Sequence, residues 1–161
     1  MFNQSLFDVK KQSENSTSII DKMNNCEVVF VADAFLEDYK GGAELSTEAL
    51  YDYQGRDKGI LKLRAKSLTK DLIEAGLNKT WVFFNYSSLN FDLIPYIISN
   101  LKYSIVEYDY KYCKYRSTEL HKENEGKDCD CHNSMYGKIV SAFMYAAEKI
   151  FWMSGKQRDF Y

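Results

Sequence analysis

Proline is almost missing from this chain, which has one, Pro95, in 161 residues. That excludes long proline-rich linkers and proline-rich recognition stretches. Charge of one sign is missing too: 21 Lys and Arg against 23 Asp and Glu leave a net charge of -2. The balance gives no electrostatic footprint for DNA or RNA, and none for an anionic membrane surface. No apolar run approaches the ~18 residues of a membrane-spanning helix. The first 25 residues (MFNQSLFDVKKQSENSTSIIDKMNN) are polar and lack the apolar stretch of a secretory signal, which points to the cytoplasm. Two nucleotide-binding fingerprints are also missing: no G-x-G-x-x-G follows a strand, and no G-x-x-x-x-G-K-[ST] occurs. This argues against NAD enzymes and P-loop ATPases. With 45% apolar residues, the chain has enough to bury the core of one domain.

What is present alternates. Glu27 to Ala32 (EVVFVA) is a short β-branched run that reads as a buried strand. Ala43 to Tyr53 reads as a helix with Leu45, Ala49 and Leu50 on its apolar face. Gly59 to Leu63 reads as a second strand, and Ser67 to Ala75 as a helix stopped by Gly76. Thr80 to Phe84 is a strand, Phe91 to Leu101 a helix with Pro95 in its first turn, and Tyr103 to Val106 a strand. A polar stretch, 111–133, interrupts the rhythm as either an ordered excursion or a mobile loop. Ser134 to Glu148 resumes as a helix, and Lys149 to Met153 closes as a strand. The alternation predicts right-handed βαβ units and a parallel sheet covered on both faces. The expected fold is a three-layer, Rossmann-like α/β domain over 26–161, after a polar N-terminal segment, 1–25.

Ligands of open α/β sheets sit at the carboxyl ends of the strands. Two segments fall there by position, Asp33 to Glu44 and Glu107 to Tyr110. Gly41-Gly42 precedes a helix, which suits close approach of a phosphate to unpaired N–H groups, or else a tight turn into the helix. Glu107 and Asp109, two apart on an extended chain, face one side, as a pair of functional carboxylates or as solvated acids at a strand end. Cys129-Asp130-Cys131-His132, with Cys113 upstream, supplies the ligand types of a tetrahedral zinc site. His121 is a further candidate ligand. Such a zinc would be structural and would pin the 111–133 excursion. The alternatives are reduced thiols in a loop or a redox-sensitive pair.

A resemblance lies in these same residues. Phe30-Val31-Ala32-Asp33-Ala34-Phe35, then Asp38-Tyr39, then Gly41-Gly42-Ala43-Glu44, resembles the opening of glycosyltransferase family 4 and related GT-B enzymes. Leu101 to Tyr112 (LKYSIVEYDYKY) is similar to the E-H-D-H-K-Y region of glycosyltransferase-like proteins, many of them from phages. Ala147 to Gln157 (AEKIFWMSGKQ) resembles the step that leads toward the second domain. The resemblance implies the N-terminal, acceptor-side half of a GT-B enzyme, moving a sugar from a nucleotide-sugar donor to a glycan or other acceptor without an obligatory metal.

On that basis Gly41 and Gly42 approach the donor diphosphate, and Asp33, Glu44, Tyr108 and Tyr110 belong to the loops around donor and acceptor. Glu107 and Asp109 are the catalytic candidates, with Asp109 beside the transferred sugar. Tyr108 and Tyr110 stand where relatives have histidines, and Gly155 stands where an acid follows Ser154. The donor-binding half, with its E-x₇-E glutamates, is not among these residues, so transfer by this chain alone is not expected. The other reading is a non-enzymatic, glycan- or protein-binding domain distinguished by its Cys/His loop.

Overall fold

The structure, a computed structural model, describes residues 19–55 and 59–161. Residues 1–18, most of the expected N-terminal segment, and 56–58 lie outside it. The elements begin with helical residues 19–25 (α1), β1 (Val28–Ala32), α2 (Gly42–Gly55), β2 (Ile60–Arg64), α3 (Lys70–Ala75) and β3 (Thr80–Phe83). They continue with α4 (Ile94–Asn100), β4 (Tyr103–Glu107), α5 (Thr118–Glu125), α6 (Met135–Tyr145), β5 (Lys149–Trp152) and α7 (Gly155–Arg158). Five strands form one sheet in the order β2-β1-β3-β4-β5, every pair parallel. This is the doubly wound α/β architecture that the alternation predicts. Among the described residues, no helix is long and apolar enough to cross a membrane.

Strand periodicity divides the core. Val29, Val31, Trp81, Phe83, Tyr103 and Ile105 share one face with Met23 of α1, Leu72 and Ile73 of α3, Ile94 and Ile97 of α4, and Val140 and Phe143 of α6. Each large side chain buried this way contributes about 2 kcal/mol of apolar transfer. Phe83, Tyr103 and Tyr86 all pack on the Phe143 ring, at centroid separations of 5.2, 4.8 and 5.0 Å. The opposite face is thinner: Phe30, Ala32, Phe84 and Val106 pack with Phe35 and with Tyr51 of α2.

The α2 helix departs from its expected orientation. Leu45, Ala49 and Leu50 are exposed, and among its described side chains those it buries are Glu44 and Thr47. Thr47 meets its polar needs on α2 itself, donating to the Ala43 carbonyl at 2.9 Å, and on β4's extension at Tyr108 Oη, 3.2 Å away. Those bonds offset the burial of the Thr47 hydroxyl, which hydropathy alone does not anticipate.

The excursion 111–133 carries its own helix, α5. Ser117 caps α5 by accepting from the Leu120 N–H at 3.2 Å, and Gly126 ends it at φ 68. That left-handed backbone is open to glycine without steric cost.

Candidate functional site

In the order β2-β1-β3 the chain reverses direction across the sheet at β1, so a crevice opens beyond the carboxyl ends of β1 and β3. Asp33 is the first residue past β1. Its carboxylate accepts from the Ser87 N–H at 2.9 Å, the Ser88 N–H at 2.8 Å and the Ser88 hydroxyl at 2.6 Å. Its own N–H donates to the Asn85 carbonyl at 2.6 Å. Asp33 therefore ties the end of β1 to the loop that follows β3.

The segment after β4 reaches the same place. Glu107 ends β4 with its side chain fully buried, and Lys111, 1% exposed, lies over it. The Lys111 ammonium donates to Asn85 Oδ1 at 2.9 Å, to Glu107 Oε1 at 3.0 Å and to the Asp109 carboxylate. All three of its protons are thereby used. Arg116 donates to Asp109 Oδ2 and to Asp33 Oδ2, both at 3.2 Å. Three carboxylates, Asp33, Glu107 and Asp109, thus share two cations.

Glu107 is the most buried of the three. Burial, only partly offset by Lys111, pushes its carboxyl up to about 7. Among the described residues its Oε2 has no hydrogen-bond partner. The Tyr161 hydroxyl fixes the backbone beneath, accepting from the Lys111 N–H at 2.8 Å and donating to the Asp109 carbonyl at 2.5 Å. Tyr110 packs in the surrounding aromatic group, its ring 5.5 Å from that of Tyr161.

Tyr108 points to the other face of the sheet, stacked on Phe84. Burial raises its phenol, and the nearby Glu44 charge adds to the rise. Glu44 lies in the first turn of α2 beside Gly41, where a Cβ would collide with its carboxylate and with the Tyr39 ring. Among the described residues, no hydrogen bond joins Gly41, Gly42 or Glu44 to the charged network. The structure therefore brings Asp33, Glu107 and Asp109 together and leaves the glycine pair, Glu44 and Tyr108 in a separate group along α2.

A second cluster sits beside the network. The ligand atoms of Cys113, His121, Cys129 and Cys131 all lie within 4.8 Å of one another, a group able to hold a metal ion. Cys113 Sγ is 3.3 Å and Cys131 Sγ 3.6 Å from His121 Nδ1. A tetrahedral zinc with Zn–S of about 2.3 Å and Zn–N of about 2.0 Å sets S···N near 3.5 Å, so the donor set fits. Burial and the neighbouring thiols push Cys131 up to about 12. His132 does not join this group. It is half exposed, its Nε2 is 3.8 Å from Asp130 Oδ1, and His121 supplies the nitrogen in its place. The reason is helical: α5 turns His121 inward over the thiols, whereas His132 follows Cys131 directly and faces outward.

A cleft of about 610 Å³ joins the two clusters, lined among others by Ser87, Arg116, His121, Cys131 and Tyr136. Lys111, Arg116 and Asn85 are functional candidates beyond the sequence-derived set. Lys111 carries a signal in sequence, since it continues the i, i+2 alternation of Glu107 and Asp109. Arg116 carries none, because its position depends on a left-handed backbone at φ 56. No family model matches the chain, and neither a curated protein nor a solved structure matches it.

Proposed function

We propose that this chain is the acceptor-side, Rossmann-like domain of a sugar-transferring enzyme, working with a nucleotide-binding domain that holds the nucleotide-sugar donor. One observation carries the reading: the two segments that resemble GT-B enzymes, after β1 and after β4, meet in one charged network through Arg116 between Asp33 and Asp109. The side chains of Asp33 and Asp109 are 19% and 24% exposed and Arg116 is 40% exposed, so all three reach solvent, Arg116 at the cleft itself. Asp109 and Asp33 accept hydrogen bonds from acceptor hydroxyls and orient them. Arg116 presents positive charge where a departing diphosphate gathers negative charge. Lys111 and Glu107 are buried beneath and fix the position of Asp109. The group Cys113, His121, Cys129 and Cys131 holds a structural zinc, closed by four protein ligands, that takes no part in transfer.

A second reading, a glycan- or protein-binding domain without catalysis, is favoured by one feature: Asp33 and Asp109 are already paired with cations of the same chain. Amide NMR titrations with short oligosaccharides and with nucleotide sugars test both. Under the transfer reading, oligosaccharides shift the amides of Asp33, Ser87, Ser88 and residues 107–116, Asp109→Asn abolishes this, and release of nucleoside diphosphate appears once a donor-binding domain is joined to the chain. Binding without that release selects the second reading. Oligosaccharide shifts confined to other surfaces would overturn the transfer reading.

A further inference from the structure

Arg116 lies in the chain between two members of the Cys/His group, Cys113 before it and His121 after it. Its N–H donates to the Cys113 carbonyl at 2.9 Å, and its own carbonyl accepts from the Tyr110 N–H at 3.3 Å. Directly after it, Ser117 opens α5, a polar helix (TELHKENE) whose one buried residue is His121. An eight-residue helix has too few internal hydrogen bonds to persist alone, and this one has no apolar stripe to dock with. Two contacts hold it to the preceding turn: the histidine facing the thiols, and Glu125 in its last turn, which accepts from the Tyr115 hydroxyl and pairs with Lys114, both at 2.7 Å. Of these, only the Cys113–His121–Cys129–Cys131 group ties the backbone on both sides of Arg116 to the 129–131 segment.

We propose that zinc in this group is the positioning device for Arg116, setting the cation that bridges Asp33 to Asp109, so that metal binding and the order of the sheet-edge network are one coupled event. The proposal rests on the structural-zinc reading above. Zn²⁺ drawn to the three sulfurs and His121 Nδ1 closes the turn 113–116 and docks α5. The Arg116 guanidinium is thereby delivered over the cleft that both clusters line. Without the metal, four uncoordinated donors and a polar helix leave Arg116 held by its backbone turn and its two carboxylate partners, with nothing to draw Cys129 and Cys131 against the turn. Coupling of this kind is reciprocal: if zinc stabilises the bridge, the bridge stabilises zinc.

The test uses the full chain under reducing conditions. Metal analysis gives the first readout, with one zinc per chain expected and intense tetrahedral absorption with thiolate-to-metal bands when Co²⁺ is substituted. Amide hydrogen exchange gives the second. Removing zinc with a chelator speeds exchange at Arg116 at least tenfold and shifts the Ser87 and Ser88 amides that bond Asp33, whereas Val31 and Phe83 keep their protection. A third readout does not depend on a folded zinc-free chain. Asp33→Asn, far from the thiols in sequence, weakens zinc binding about fivefold in competition with a chromophoric chelator. Zinc bound at one per chain, with its affinity unchanged in Asp33→Asn and with Arg116, Ser87 and Ser88 indifferent to its removal, overturns the coupling and leaves the structural zinc standing. Failure to bind zinc or cobalt at one per chain overturns both.

Discussion

Asp33 and Arg116, 83 positions apart in the chain, meet at 3.2 Å across the carboxyl edge of the sheet. The pair closes a loop of interactions from β1 through the segment after β4 and back, and it does so beside the strand-order reversal where such sheets bind ligands. Asp33 is the anchor of the two, because three further donors converge on its carboxylate from Ser87 and Ser88.

Removing that anchor leaves two backbone N–H groups without acceptors. Asp33→Ala is expected to lower stability by about 2 kcal/mol, the cost of unsatisfied donors at a half-buried site. Asp33→Asn keeps one acceptor oxygen and is expected to lose about half as much. Urea unfolding followed by circular dichroism measures both. Equal, small losses for the two variants would mean that water replaces the carboxylate freely and that Asp33 does not organise the loop.

Arg116 separates a side-chain role from a backbone one. At φ 56 a residue with a Cβ is strained by roughly 1 kcal/mol, and glycine is not. Arg116→Ala loses the bridge and keeps the strain, whereas Arg116→Gly loses the bridge alone. Arg116→Gly is therefore expected to be the more stable of the two variants by about 1 kcal/mol, read from their denaturation midpoints at a common slope. The opposite order would show that the backbone at this position relaxes out of the left-handed region when the guanidinium is gone.

Why Arg116 is invisible in sequence follows from the same geometry. The strands Val28–Ala32, Thr80–Phe83 and Tyr103–Glu107 are legible because β-branched and aromatic runs bounded by turn residues have no other favourable use. Asp33, Glu107 and Asp109 are legible because strand ends in a parallel sheet point one way. The thiols are legible as ligand types, but the choice between His121 and His132 needs the orientation of α5. That helix is set by caps at Ser117 and Gly126 within a stretch lacking apolar periodicity. Arg116 sits at a turn whose shape depends on contacts with segments far away in the chain. For α2 the failure is different: among its described side chains the buried ones are Glu44 and Thr47, and a hydropathy reading assigns burial to the leucines instead.

Glu107 makes stability depend on pH in a direction opposite to that of an ordinary paired carboxylate. Its folded pKa, about 7, lies above its ordinary value of 4.5. Between those two values the fold retains a proton that the unfolded chain has released. Its contribution is therefore full below about pH 4.5 and is lost as pH rises through 7, by about 3 kcal/mol in all. Glu107→Gln stays neutral at every pH, so the stability of the variant relative to the parent is expected to climb between pH 5 and 8 and then level off. Denaturation midpoints of both proteins across that interval measure the difference. A difference that stays flat would mean that Lys111 keeps Glu107 ionised throughout.

Gly137 offers a way to disturb the Cys/His group without touching a ligand. It lies in the first turn of α6, buried, where the Ser134 hydroxyl accepts from its N–H at 3.0 Å. A Cβ there would run into the carbonyl oxygens of Cys131 and His132, which are backbone atoms with no rotamer to change. Gly137→Ala must therefore displace the 131–133 turn that carries the Cys131 thiol, or tilt α6 away from it. Overpacking of this kind costs about 2 kcal/mol, more than the helix gains from exchanging glycine for alanine, about 1 kcal/mol. A net loss of stability is expected, together with a weaker hold on added Zn²⁺, while Lys138→Ala, one position along on the exposed face, changes neither. The two variants are compared by urea denaturation and by zinc competition with a chromophoric chelator. A Gly137→Ala variant as stable as the parent, with the same zinc affinity, would mean that the 131–133 turn moves aside at no cost, and so that the packing of α6 does not place Cys131 beside His121.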